Sequence, residues 1–358
     1  MSADMSDHTH SDPEPLLPPE PRPAWAADCH RLLLGLAGRI PDADLVWLRT
    51  LLAERQRRAL ATELAWVVLR HGLPLSEPDE DLLAELLEAD GQDSSPLDGL
   101  PPGTGPEPSN EFTASRFGPP DDGETPDSVD RAAGDALAEV AGARGLWRSW
   151  RSPIAGEEAP RRVFVVEVDR GLDLPTVTGR LQHRLEAAGE VDPQVEVYAT
   201  GDRIPLYQLL ARRYGQLLWT PAAVPFSVAP VFAETDQESG LPRFDDLDEA
   251  EQTAAYLRVG ELLLSSPERL DDVMAPGRGA VVPVDLRTDG IWIWSEATTY
   301  YLEEYGLEPD AGLLAHIRAA GFEPPVVDGA TRHRAITFVT EPDPPGTRPP
   351  ARPGPDSL

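Results

Sequence analysis

Proline is the residue that most restricts this chain, because its ring fixes φ and removes a backbone hydrogen-bond donor. The chain has 39 prolines in 358 residues, and they are concentrated in three segments: residues 1–24 contain 6, residues 92–130 contain 8 and residues 341–358 contain 7. These segments are also poor in large apolar side chains. We therefore predict disordered tails at 1–24 and 341–358 and a disordered, acidic, proline-rich linker at 92–130.

Two segments, 25–91 and 131–340, remain as candidate folded units. Hydrophobic residues make up 41% of the chain, which is enough to build a core and excludes disorder of the whole chain. The first segment has apolar residues at helical spacing, interrupted at Pro41 and Gly72. It predicts a small bundle of four short helices that hides Trp47 and Trp66.

The second segment mixes the two types of secondary structure. Val163–Val168, Pro175–Ala188 and Val195–Tyr198 follow one another as strand, helix and strand, a spacing typical of a βαβ unit, although an antiparallel arrangement stays open. Leu247–Ser265 predicts a long amphipathic helix, and Ala335–Thr340 predicts a final strand. The fold class predicted for the whole chain is α+β, with a central sheet in a C-terminal mixed α/β domain, and mixed α/β is the rival.

The charge of the chain excludes several functions. It carries 62 acidic residues against 31 arginines, has no lysine, and has a net charge of -31. A phosphate backbone or an anionic lipid surface repels such a chain, so we expect neither nucleic acid nor a membrane as a partner. Residues 77–130 contain 16 acidic residues and one base, Arg116. This stretch is either a solvated spacer or an attraction for a basic partner protein.

No sequence motif indicates an enzyme. The chain has no Walker A loop and no G-x-G-x-x-G, G-x-S-x-G or H-E-x-x-H motif. Its single cysteine, Cys29, excludes an internal disulfide framework and a CxxC site. His316 lies on an apolar helix and is more typical of a boundary residue than of a general base. We predict no metal and no cofactor, and the N-terminus has no secretory signal, which favours the cytoplasm.

One stretch, residues 286–322, is rich in aromatic residues. Trp292 and Trp294 alternate on a strand after a turn, and Ser295 predicts the cap of a following helix. That helix carries Tyr300, Tyr301 and Tyr305 and ends at a glycine. Four or five aromatic side chains are therefore expected at one strand-to-helix corner, either as core or as a partner-binding surface. We expect both tryptophans to be buried together.

The pattern D-G-x-W-x-W followed by Y-Y spans Asp289 to Tyr301. It resembles a pattern in small cytoplasmic bacterial proteins suspected of being immunity proteins for polymorphic or contact-dependent toxins. The resemblance covers about residues 190–322 and includes the preceding Asp271-Asp272 segment. It implies a non-enzymatic protein-binding role, with no catalytic residues to transfer. The partner-binding residues expected from this stretch are Asp289, Trp292, Trp294, Tyr300, Tyr301 and Tyr305.

The sequence thus favours a cytoplasmic, non-enzymatic protein that binds another, basic protein and acts as an immunity-like or antitoxin-like inhibitor. The first alternative is a hydrolase or transferase with a site in the 160–234 half, near Tyr198, Asp202 and Tyr207. The second alternative is a scaffold or regulator whose two modules hold different partners. The sequence does not predict an oligomeric state.

Overall fold

The computed structural model describes residues 24–101, 103, 110–117, 123–154, 159–222, 224–232 and 240–340. The predicted tails therefore lie outside the described residues, apart from Ala24. The helices are α1 Ala24–Leu36, α2 Asp42–Ala53, α3 Arg57–His71, α4 Glu77–Glu88, α5 Ser128–Ala138, α6 Leu174–Ala187, α7 Leu206–Tyr214, α8 Leu247–Val259, α9 Glu296–Tyr305, α10 Ala311–Ala319 and α11 Gly329–Thr340. The strands are β1 Asn110–Thr113, β2 Ala143–Pro153, β3 Arg161–Val168, β4 Gln194–Ala199, β5 Gln216–Trp219, β6 Ser227–Val228, β7 Glu261–Leu264, β8 Arg269–Asp271, β9 Ala280–Pro283, β10 Leu286–Thr288 and β11 Trp292–Ser295. The predicted α+β class is confirmed.

The larger sheet has the order β1-β2-β3-β4, and β5 also pairs with β2. Strands β2 and β3 are antiparallel, whereas β3 and β4 are parallel and connected through α6. Val165 lies opposite Glu196 in that parallel pair. The predicted strand, helix and strand therefore form a parallel βαβ unit, which decides the arrangement that the sequence left open.

Both faces of this sheet are covered by helices. Val195 and Val197 belong to a core with α5 and α6, because alternate residues of a strand point to opposite faces. Val163, Val165 and Trp147 on the other face belong to the core that contains α1 to α4. The N-terminal helices therefore share a hydrophobic core with the sheet.

Buried polar contacts also connect these helices to β4. Arg49 on α2 forms an ion pair with Glu196 at 2.6 Å, and both side chains are buried. Gln208 on α7 donates to the same carboxylate at 2.8 Å. His30 Nε2 on α1 donates to the carbonyl oxygen of Val197 at 2.7 Å. Since His30 binds a main-chain oxygen of β4, it helps to cover this edge of the sheet.

The second sheet has the order β6-β11-β10-β7, and β8 pairs with β9 in a separate two-stranded ribbon. Helix α11 lies between the two larger sheets: Ala330 is part of the core around Trp147, and Ala335 is part of the core with Leu263 and Ile293. The predicted strand at 335–340 is therefore wrong. The β-branched residues there favour a strand, but two small alanines on one helix allow close approach to both sheets, and this packing overrides propensity.

The start of α11 is fixed by a buried carboxylate. Glu167 on β3 accepts hydrogen bonds from Gly329 N at 2.7 Å and from the Tyr198 hydroxyl at 3.0 Å. Arg212 on α7 donates to the Tyr198 oxygen at 2.6 Å and lies 3.9 Å from the Glu167 carboxylate. Burial raises the pKa of Glu167, and the charge of Arg212 opposes that rise.

The segment 92–130, predicted to be a disordered linker, contains a strand and the start of a helix. The prediction of disorder is therefore wrong for the described residues of that segment. Strand β1 pairs antiparallel with β2, with Phe112 opposite Arg151. Asp130 on α5 is buried and forms an ion pair with Arg148 at 2.6 Å. Such a buried charge needs a partner, and Arg148 supplies it. Residues 77–88 of the acidic stretch form α4.

Two further predictions need correction. Trp47 and Trp66 are 51% and 52% exposed, because they occupy the outer sides of α2 and α3. The predicted helix 247–265 ends at Val259 and is followed by β7. Gly260 leaves the helix with a ψ of 145°, and its missing Cβ makes room for the Trp294 ring, since a Cβ there would lie 2.3 Å from that ring. No helix among the described residues is long and apolar enough to cross a membrane.

The burial of His30 predicts a pH dependence of stability. Burial lowers the pKa of His30 to about 4, so the folded state holds the neutral ring while the unfolded chain takes up a proton below about 6.5. The stabilisation is complete above pH 6.5 and is lost as the pH falls towards 4, by roughly 3 kcal/mol. His30→Gln should reduce the dependence of the free energy of unfolding on pH, which urea denaturation at several pH values measures. His183→Gln, at an exposed position, should leave that pH dependence unchanged.

The helical state of residues 335–340 has a separate test. Ala335→Leu adds volume between α11 and the second sheet and should reduce the free energy of unfolding by about 1–3 kcal/mol. Phe338 is half exposed, so Phe338→Ala should cost less than about 1 kcal/mol. Chemical denaturation measures both. A larger cost at Phe338 than at Ala335 would contradict the placement of α11.

Candidate functional site

Three tyrosines of α9 lie around the turn that connects β8 to β9. The helix begins as predicted: Ser295 Oγ accepts a hydrogen bond from Ala297 N at 3.2 Å. It ends at Gly306, whose φ of 68° is the left-handed conformation that glycine adopts without strain. Both ends of α9 are therefore fixed, which positions Tyr300, Tyr301 and Tyr305 on its C-terminal half.

Asp272 is the centre of this arrangement. Its carboxylate is fully buried and accepts hydrogen bonds from the hydroxyls of Tyr300, at 2.9 Å, and Tyr305. It also accepts from Met274 N at 2.9 Å and Ala275 N at 3.2 Å. The Tyr301 hydroxyl accepts from Val273 N at 3.2 Å. The turn is thus held by side chains on α9 as well as by its own backbone.

The electrostatics of Asp272 favour its charged form. Burial raises the pKa of this carboxyl, but the hydrogen bonds from Tyr305, Tyr300 and two backbone amides outweigh burial and hold the pKa below its usual range. Burial and the same carboxylate raise the pKa of Tyr300 to about 12, so its hydroxyl keeps the proton that it donates. Arg278 lies 3.6 Å from Asp272 and adds positive charge.

The ribbon held in this way exposes apolar side chains. Leu270 on β8 and Val273 in the turn are 58% and 62% exposed, and Met274 and Val281 are 39% and 38% exposed. We call these four residues the ribbon surface. Exposed apolar side chains on a fixed ribbon are typical of a protein-binding surface rather than of a catalytic pocket.

The tryptophans predicted to share this site lie elsewhere. Trp294 is fully buried, and its Nε1 donates to Leu257 O at 3.2 Å. Trp292 is partly buried and packs against the same core as Trp294. Tyr301 and its neighbours belong to a different cluster. Trp294 is buried as expected and Trp292 is only partly buried beside the same core, but the single aromatic corner is wrong, because strand and helix direct their rings into different cores.

Asp289 is also buried and stabilises the turn between β10 and β11. Its carboxylate accepts hydrogen bonds from the Tyr256 hydroxyl at 2.7 Å and from Trp292 N at 2.7 Å. His316 Nε2 lies 2.8 Å from the same carboxylate, but its direction is not that of an aligned hydrogen bond. Asp289 and Trp294 have almost no exposed surface, so they support the fold and do not present a surface to a partner.

The three residues of the predicted alternative enzyme site have separate surroundings. Tyr198 is buried against Glu167 and Arg212, and Tyr207 is buried with its hydroxyl 3.2 Å from Arg151. Asp202 lines a cavity of about 220 Å³ near the start of α6. Within the described residues, no cluster of three or more His, Cys, Asp or Glu side chains could hold a metal ion.

Sequence reasoning missed the ribbon surface and the role of Asp272. Strands β8 and β9 are three and four residues long, too short for an alternating pattern to stand out. The Asp271-Asp272 pair was visible, but acidic pairs are common in a chain with 62 acidic residues. The available signal was the run Val273-Met274, two apolar residues directly after the acidic pair.

Comparison of the chain with protein-family models, with curated proteins and with solved structures finds no match.

The hydrogen bonds to Asp272 predict how the turn responds to substitution. Tyr305→Phe removes one donor to a buried carboxylate and should speed amide exchange at Val273, Met274 and Ala275 by on the order of tenfold. Tyr214→Phe, at an exposed tyrosine outside the site, is the matched control and should leave these rates unchanged. Hydrogen exchange read by mass spectrometry or NMR measures both. Equal rates in wild type and Tyr305→Phe would show that the hydroxyl does not hold the turn.

Proposed function

We propose that this chain is a non-enzymatic protein-binding protein whose contact surface is the ribbon surface. The observation that carries the proposal is the combination of four exposed apolar side chains with a turn held by the buried Asp272 carboxylate. Apolar residues on a fixed turn can be buried by a partner without the entropy cost of ordering a loop. Leu270, Val273 and Met274 are the anchors in this proposal.

The partner in this proposal is basic. The segment that contains the ribbon surface, residues 261–305, has 9 acidic residues and 3 arginines, a sequence charge of -6. The helix α4 adds six acidic residues and no base. In this proposal the helical segment 25–91 and the acidic stretch 77–130 supply charge that attracts the partner, and the ribbon surface supplies the apolar contact.

An immunity-like or antitoxin-like inhibitor would use these features directly. A toxin that cleaves nucleic acid is basic where it meets its substrate. An acidic inhibitor can associate quickly with that face and block it without any catalytic residue. The support for this finer proposal is the charge of the chain and the resemblance of residues 190–322 described above.

The experiment places a photo-crosslinking amino acid at Val273 and, as a control, at Val191, which is 70% exposed outside the ribbon. In cells that make this protein, position 273 should crosslink to one basic protein and position 191 should not. Leu270→Ser with Met274→Ser should reduce the recovered partner at least tenfold with an unchanged melting temperature. Leu206→Ser, at another exposed site, should leave recovery unchanged.

Two outcomes would contradict the proposal. One is equal crosslinking at positions 273 and 191. The other is full recovery of the partner by the doubly substituted ribbon. Raising the salt concentration should also slow association with the captured partner, because exposed charges are screened beyond about 8–10 Å.

A further inference from the structure

The helices α2 and α3 expose two tryptophans that the core does not use. Trp47 and Trp66 are each about half exposed, and Leu69 on α3 is 38% exposed. Tryptophan is enriched in the centres of protein interfaces, where its large ring is buried by a partner. The guanidinium of Arg70 lies 4.7 Å from the centroid of the Trp66 ring, so a cation borders the apolar side chain.

One side-chain contact and one hydrogen bond connect the outer sides of α2, α3 and α4. His71 at the end of α3 lies 3.9 Å from Asp44 at the start of α2. In the N-terminal half of α3, Thr62 donates to Gln92, just after α4, at 2.9 Å. Trp66 is one helical turn from Thr62 on the same side of α3. The surface therefore extends from the tryptophans to the acidic helix.

Its charges are divided between two neighbouring helices. Arg58 and Arg70 on α3 are exposed and form no ion pair within the described part of the chain. Asp81 and Glu85 on α4 are exposed, one turn apart, and likewise form no ion pair with any described residue. Their neighbours Arg57 and Asp79 are paired, with Asp90 and Arg31. Two unpaired arginines on α3 therefore lie on the helix next to the one that carries the two unpaired acids, α4.

We infer that this surface binds a second copy of the same chain, related by a two-fold axis. A two-fold interface brings the same patch together from both subunits, so the patch must be complementary to itself. With the axis between α3 and α4, the basic α3 of each subunit meets the acidic α4 of the other. Trp66, one turn from the Thr62 side chain that contacts the end of α4, then lies near the axis, and Trp47 on α2 lies farther out.

Charge complementarity favours a second copy over a foreign protein. A purely basic partner would be repelled by Arg58 and Arg70, and a purely acidic partner would be repelled by α4. The patch itself carries both signs side by side. This surface lies apart from the ribbon surface and shares only the charge of α4 with the proposed function, and the tests below use the purified chain alone, so their outcome does not depend on that function.

The first test is the mass of the purified full-length protein, measured by sedimentation and light scattering from about 1 to 100 μM. Wild type should have twice the mass of the chain, whereas Trp47→Gln with Trp66→Gln should have the mass of one chain and keep the wild-type circular dichroism spectrum. Val191→Gln, at an exposed site elsewhere, should stay dimeric. A wild type with the mass of one chain at every concentration overturns the inference, including the case in which the tryptophans bind a foreign protein.

The second test exchanges the charges. Arg58→Glu with Arg70→Glu places acidic side chains at the unpaired positions of both helices, and Asp81→Arg with Glu85→Arg places basic side chains at those positions of both helices. Each double variant alone should dissociate, because like charges then face each other. Mixed in equal amounts, the two variants should form a heterodimer, because both helix contacts again join opposite charges. If the mixture fails to associate, or if both variants stay dimeric alone, the dimer does not use α3 and α4.

Discussion

The Glu167 carboxylate joins four elements that are far apart in the chain. It lies on β3, it accepts hydrogen bonds from Tyr198 on β4 and from Gly329 at the start of α11, and Arg212 on α7 lies beside it. A buried carboxylate without such partners would be strongly destabilising. Helix α11 starts where the free N–H groups of its first turn meet this negative charge. Because α11 then packs on both larger sheets, this carboxylate fixes the start of the helix that lies between them.

The sequence predicts the elements whose signals are local. The cap at Ser295, the left-handed stop at Gly306 and the helix between them are all confirmed, since each depends on residues within one or two turns. The strands β3 and β4 and the helix α6 between them are also confirmed. The α+β class follows from such elements alone.

Predictions fail where distant packing decides the outcome. The β-branched residues at 336–340 favour a strand in isolation, but the alanines at 330 and 335 fit between two sheets that no local pattern reveals. The helix predicted to continue to Ser265 ends at Val259, and the next residue, Gly260, packs against the ring of Trp294, 34 residues later. In the candidate site, α9 was predicted correctly. The hydrogen bonds of its tyrosines to Asp272 join residues about 30 positions apart in the sequence, which no local pattern predicts. The short ribbon that carries the exposed apolar residues leaves too weak a pattern to predict.

The Glu167–Gly329 hydrogen bond can form only late in the synthesis of the chain. The two residues are 162 positions apart, so at 5–20 residues per second about 8–32 s pass between their incorporation. During that interval the parallel pair of β3 and β4 can form, but Glu167 has only Tyr198 and, later, Arg212 as partners. The core around Trp147 is likewise incomplete until Ala330 has been synthesised. A ribosome that stalls before α11 would therefore hold a chain without the helix that packs against both sheets, and incompletely folded chains are the ones that proteases and chaperones act on in the cell.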